Sequence, residues 1–141
     1  MTRALALDIG TRRVGVALSD SGGTVATPYE VIHRSGDHAA DHRRVAALID
    51  EAGAEVVVVG LPLSLDGSLG PAARAILAEV DELRAALAVE VVTWDERLST
   101  VEAERSLRAM GVRKGDRRRV VDQVAATVIL QSWLDAGRPR R

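Results

Sequence analysis

Apolar residues run unbroken through Ala4-Leu5-Ala6-Leu7, stop at Asp8 and resume at Ile9. A continuous apolar run, without the alternation of a half-exposed strand, predicts a strand covered on both faces. A turn at Gly10-Thr11-Arg12 leads into a second run from Arg13 to Ser19, and Asp20-Ser21-Gly22-Gly23 marks another turn before a third, Thr24 to Ile32. Pro28 has no N–H to offer a ladder, which places the third strand at a sheet edge. These three strands are expected to form an antiparallel meander. Asp37 to Ala52 then reads as a helix closed by Gly53, and Glu55 to Val59 as a buried strand. Pro71 opens a second helix running to about Leu87, and Val89 to Thr93 is the fifth strand. Ser99 with Glu102 three residues on is a capping box for a short helix ending near Met110-Gly111, and the last helix runs from about Arg117 to Asp135.

This order, three strands and then alternating helices and strands, predicts an α/β fold. Right-handed crossovers after a meander give a mixed five-stranded sheet with the first strand central and helices on both faces. At 141 residues, with no internal repeat, linker or low-complexity segment, the chain reads as a single domain over 1–141.

Three acids interrupt positions that the pattern reserves for apolar side chains. Asp8 lies inside the first strand, an acid pair at Asp95 and Glu96 follows the fifth, and Asp122 falls on the last helix. On that helix Gln123, Thr127, Gln131 and Asp135 share one side, whereas Asp122 lies about 160° away at ~100° per residue, grouped with Ala125, Ala126, Ile129 and Trp133. Unpaired buried carboxylates are costly, and a shared divalent metal ion compensates them. The bland readings are an Asp8 that bonds the amides of its turn, an acid pair that leads into the Ser99 cap or pairs with Arg97, and an Asp122 paired with an arginine. Strand alternation leaves open whether Asp95 or Glu96 faces Asp8.

Charge adds a direction to this picture. The net charge is −1, but from Val112 onward eight Arg or Lys face three Asp, so that segment carries +5 and the rest −6. A basic segment beside an acid-lined site suits a polyanionic partner. Arg113, Lys114, Arg117, Arg118 and Arg119 are the leading phosphate-contact candidates. Arg12, in the turn after Asp8, has a fork that matches phosphate geometry, and Arg97 either joins it or orients Glu96. The loop from Leu63 to Gly70 has the glycines of a segment able to close over nucleic acid. Aromatic residues number three, too few for base stacking to dominate affinity. His33, His38 and His42 have no acid motif near them in sequence and receive no catalytic role. The absence of cysteine, of a signal-peptide pattern and of a long apolar run leads us to expect a cytoplasmic protein without membrane association.

Four ordered motifs carry a resemblance across essentially the whole chain: Leu7-Asp8-Ile9-Gly10-Thr11-Arg12, Val59-Gly60-Leu61-Pro62-Leu63 with Asp66-Gly67, Asp95-Glu96-Arg97-Leu98-Ser99-Thr100, and Asp122-Gln123-Val124-Ala125-Ala126. Together they resemble the YqgF/RuvX family, ribonuclease H-like nucleases assigned to Holliday junction resolution or to maturation of the 5′ end of 16S ribosomal RNA. The resemblance implies a Mg²⁺- or Mn²⁺-dependent endonuclease carrying Asp8, Glu96 and Asp122, with Glu96 rather than Asp95 as ligand. Its partners would be structured RNA such as precursor 16S rRNA, within the ribosomal particle, or branched DNA. Ions bridged by Asp8 would activate water for in-line attack on phosphorus. One departure from the wider ribonuclease H pattern stands out: the strand beside the first ends in Gly60, not an acid, so the second carboxylate must reach across from the fifth strand over the space Gly60 leaves. A resolvase is expected to be a homodimer, since symmetric incisions need two sites; a processing ribonuclease can be a monomer. Two other classes stay open, an actin-like phosphate-binding domain suggested by Asp8-Ile9-Gly10-Thr11 and a non-catalytic nucleic-acid-binding module.

Overall fold

A computed structural model of the chain describes residues 2–98 and 117–140, with backbone alone for residue 98 and for 117–123. Strands β1 (Arg3–Ile9), β2 (Arg13–Ser19) and β3 (Ala26–His33) form the meander. They are followed by α1 (His38–Ala52), β4 (Ala54–Leu61), α2 (Pro71–Ala86), β5 (Glu90–Asp95), a 3₁₀ turn at Glu96–Leu98 and α3 (Arg117–Asp135). The short helix expected from Ser99 lies outside the described residues.

The sheet order is β3-β2-β1-β4-β5, which makes β1 central. β1 runs antiparallel to β2 and parallel to β4, and β4 runs parallel to β5. Pro28 sits on the outermost strand opposite Ala17, where the register shifts after Val16, so its missing N–H falls at a position that tolerates it. Asp37 precedes α1 as an extended cap whose carboxylate accepts from the amides of Ala39 and Ala40, and Gly53 ends the helix at φ 69°. Strand β5 extends to Asp95, two residues beyond the expected end, which bears on the site below.

Alternation along the central strands divides the core in two. Leu5, Leu7, Val57 and Val59 face α1 and α2 and pack with Val45, Ile49, Val80 and Leu83. Ala4, Ala6, Ala17 and Val58 face α3, where their small side chains make room for the fully buried Trp133. Gln131 fastens α3 to the β3 side of the sheet by accepting from the amide of Ala26 and donating to the carbonyl of Thr24. At the other edge, the Trp94 indole donates to Ser132 Oγ at 3.0 Å. No described helix is long and apolar enough to cross a membrane.

Candidate active site

Asp8 is the penultimate residue of β1, opposite Gly15 of β2, on the same face as Ala4 and Ala6 and therefore toward α3. The chain turns sharply just beyond it. The Gly10 amide donates to the Arg13 carbonyl at 2.9 Å, and a Cβ at Gly10 would stand 2.8 Å from that oxygen, so a side chain there would break the turn.

Glu96 reaches Asp8 from two strands away. β5 ends with Asp95 opposite Leu61, and the 3₁₀ turn begins at Glu96, which releases it from strand alternation. Its carboxyl crosses β4 at Gly60 and hydrogen-bonds that of Asp8. A Cβ at Gly60 would lie 2.6 Å from Glu96 Oε1, 2.9 Å from Glu96 Cγ and 2.5 Å from Ile129 Cδ1. The glycine is the passage through which the two acids meet, as its place in the sequence suggested.

Burial, then the charge of Asp8 and the hydrogen bond to it, and lastly the charge of Asp95, push the Glu96 carboxyl up to about 7. Near neutral pH the pair therefore retains a proton that a cation can replace. The donors are carboxylate oxygens, the set that suits Mg²⁺ and Mn²⁺.

Asp95 has a different partner. Arg97 grips it with Nε at 2.9 Å and Nη2 at 2.6 Å from Oδ2, while the Arg97 amide donates to Oδ1 at 3.0 Å. The Arg97 guanidinium holds the Asp95 carboxyl below the usual range. Among the described residues the carboxylate that Arg97 holds is that of Asp95. Its Nη1 also donates to the carbonyl of Leu65 at 3.2 Å, which pins the loop after β4. That loop, expected to be free to close, is folded on itself: the Gly67 amide donates to Ser64 and the Ser64 amide to Ser68.

The family model described as "RuvX: Holliday junction resolvase" matches residues 2–136. The chain belongs to the RuvX family. A protein of Desulforudis audaxviator named "Putative pre-16S rRNA nuclease" is 45% identical over 139 residues, covering 99% of this chain and 98% of its own. A protein of the same name from Mycolicibacterium paratuberculosis is 49% identical over 139 residues, covering 96% of this chain and 81% of its own. Among solved structures, Thermus thermophilus RuvC superposes with a TM-score of 0.60 at 16% identity, covering 98% of each chain. The same protein in complex with a Holliday junction substrate gives 0.54 at 17% identity over 99% of each chain. These likenesses establish the fold as ribonuclease H-like.

In this RuvX chain, position 122 lies one helical turn before Ala126 on the stripe that continues through Ile129 and Trp133 onto the sheet. Ile129 is the residue that flanks Gly60. The Asp122 side chain lies outside the described set, as do those of Arg117, Arg118 and Arg119 in the first turn of α3, and Arg113 and Lys114 lie outside the described residues altogether. Arg12 is exposed and lines an open cleft of about 730 Å³ together with Ile9, Gly10, Thr11, Pro62 and Arg34.

His38 and His42 of α1 meet Glu79 and Glu82 of α2, roughly forty positions along the chain, so acids do surround them. Arg34 joins this group, bonding Asp41 through Nε and both oxygens of Glu79 through its two terminal nitrogens. Burial raises the Glu79 carboxyl, and the bonds from Arg34 and His42 outweigh it, leaving it below the usual range. A usable signal was present in the spacings: His38 with His42, and Glu79 with Glu82, each occupy one face of a helix. Which helix would face which was not.

Proposed function

We propose that this RuvX-family chain is a metal-dependent endonuclease that hydrolyses phosphodiester bonds in structured RNA, processing the 5′ end of precursor 16S rRNA, with Asp8, Glu96 and Asp122 holding Mg²⁺ or Mn²⁺. The observation that carries the reading is the meeting of Asp8 and Glu96 from non-adjacent strands over Gly60, a contact that leaves a proton on the pair at neutral pH. When bound, the divalent ion supplies an activated water and neutralises charge developing on the phosphoryl oxygens. Asp8, set by the Gly10 turn, and Glu96, set by the 3₁₀ turn, offer oxygens from two directions. Asp122 would approach from the helix that covers the same face. Arg12, beside the cleft at the end of β1, would take a neighbouring phosphate, and Arg113, Lys114, Arg117, Arg118 and Arg119 would carry the rest of the backbone charge. Arg97 would position the loop after β4 beside the substrate through Asp95.

Names of relatives at 45% and 49% identity support RNA over DNA, and the RuvC likeness at 16% identity supports only the fold. The family description supplies the second reading, resolution of four-way DNA junctions. End-labelled RNA spanning the 5′ end of 16S rRNA and four-way DNA junctions are to be incubated side by side with Mg²⁺, Mn²⁺ or EDTA. We expect endonucleolytic cleavage of the RNA with either ion, none in EDTA, and weaker cutting of the junction. Paired symmetric incisions in the junction by a stable dimer, with the RNA intact, would install the resolvase reading instead.

A further inference from the structure

On the face of the sheet opposite Asp8, α1 and α2 bring His38, His42 and Glu79 together, with one ligand atom of each within 4.8 Å of the others. His38 and His42 are one turn apart on α1, and their ring centroids lie 5.7 Å apart. His42 Nε2 is 2.8 Å from Glu79 Oε2 and His38 Nε2 is 4.0 Å from Oε1. An ion with tetrahedral ligands at about 2.0–2.1 Å spaces them roughly 3.4 Å apart, between these two distances. The two distances run to different Glu79 oxygens, and with the three ligand atoms within 4.8 Å of one another, closing the site calls for shifts of up to about 1.4 Å.

Orientation and charge point the same way. His38 Nδ1 lies 2.7 Å from Glu82 Oε1, and since an ionised carboxylate only accepts, Nδ1 holds a proton and Nε2 is the nitrogen on the Glu79 side that an ion would take. A carboxylate behind the far nitrogen is how a metal-ligating imidazole is usually held. Asp41 and Glu79, each 5% exposed, bring two negative charges, and Arg34, bonded to both, brings one positive. With neutral imidazoles the buried group is left at −1, and Glu82 adds to it at the rim. Arg34 takes one lone pair of each Glu79 oxygen; the edge toward the imidazoles is occupied by the His42 Nε2 proton, which an ion would replace. A groove of about 470 Å³ between α1 and α2 reaches His38, His42 and Glu82 from outside and leaves a position for water.

We infer that His38, His42 and Glu79 form a second metal site, selective for Zn²⁺, with Glu82 and Arg34 as its outer partners and separate from the oxygen-only Asp8–Glu96 pair. Imidazole nitrogens favour Zn²⁺, and Mg²⁺ keeps to oxygen. The ion would clamp α1 to α2 along the wall of the cleft that holds Arg12.

The test uses the full chain carrying both Asp8→Asn and Glu96→Gln, which weakens binding at the candidate active site, stripped with EDTA and titrated with ZnCl₂ by calorimetry. One equivalent is expected to bind, with Mg²⁺ unable to compete. His38→Gln and His42→Gln should each weaken binding at least tenfold, and Glu82→Gln by about 10- to 100-fold, the usual effect of removing an outer partner. Co²⁺ in the same chain should give the visible absorption of a nitrogen-ligated tetrahedral ion. His38 is half exposed, so its variant is expected to fold even if that of the buried His42 does not. Failure to bind Zn²⁺ stoichiometrically, or unchanged affinity in His38→Gln, would reduce the cluster to an ion-pair network only.

Discussion

Gly60→Ala tests the site with a single methyl group. The new Cβ would stand 2.6 Å from Glu96 Oε1 and 2.5 Å from Ile129 Cδ1, whereas ordinary contact begins near 3.4 Å, so each must retreat by 0.8 to 0.9 Å. Both are ends of flexible side chains, and Glu96 Cγ, at 2.9 Å, must give way with them. Overpacking costs about 1–3 kcal/mol and the restricted unfolded chain returns about 0.4–1 kcal/mol, leaving a net loss of roughly 1 kcal/mol. In a domain of this size that lowers Tm by about 3–5 °C. The effect on chemistry should be larger, because a displacement of about 1 Å in a positioned group can cost ~100-fold in rate. We expect Gly60→Ala to remain folded by circular dichroism and to cleave RNA 10- to 100-fold more slowly in Mg²⁺, a range set by the same relation between position and rate. Turnover equal to the parent chain, at unchanged stability, would show that Glu96 has no need of the space over Gly60 and would refute the placement.

Glu96 binds its proton more tightly in the folded chain than its ordinary 4.5 allows, holding it up to about 7, so the folded state carries the extra proton across that window and stability falls as pH rises through it. The limit is roughly 3 kcal/mol, reduced by solvent at a partly open site; melting in EDTA from pH 4.5 to 8 should show the slope, and Glu96→Gln should flatten it. Asp8→Asn and Asp122→Asn should each abolish cleavage while the chain stays folded, and undiminished cleavage in either would remove that residue from the site; Asp95→Asn should keep most activity. Arg97→Ala breaks the grip on Asp95 and the bond to Leu65, so limited proteolysis between Leu63 and Gly70 should accelerate while Mg²⁺-dependent cleavage falls several-fold, the range of a positioning effect. Replacing Arg117, Arg118 and Arg119 with Ala should weaken binding alike for unrelated sequences and flatten log affinity against log salt, and an unchanged slope would place the nucleic acid elsewhere.

Much of this fold is local in origin, and for that reason legible in the chain. The unbroken apolar runs around Leu7 and Val58 demand strands covered on both faces, Asp37, Gly53 and Pro71 mark helix ends through their own backbone preferences, and Pro28 can only sit at an edge. The crossover rule then places β1 at the centre. Asp8 is conspicuous because an acid inside a buried strand must be compensated, and Gly60 because a strand end without a side chain leaves space.

The partners of the charged groups depended on packing. Alternation could not choose between Asp95 and Glu96, because the strand gives way to a 3₁₀ turn at that boundary and the period changes with it. The bond from Arg97 to Asp95 is local and was among the readings the sequence allowed, whereas its bond to the Leu65 carbonyl depends on where the loop after β4 comes to rest. The acids next to His38 and His42 in sequence are engaged elsewhere, Asp37 in capping α1 and Asp41 with Arg34 and Ser35; Glu79 and Glu82 arrive only because α1 and α2 both pack on the face of the sheet that carries Leu5 and Leu7. Helical periodicity determines which residues share a face, but the facing of one helix to another is set by burial against the sheet. No local pattern in 141 residues encodes that meeting.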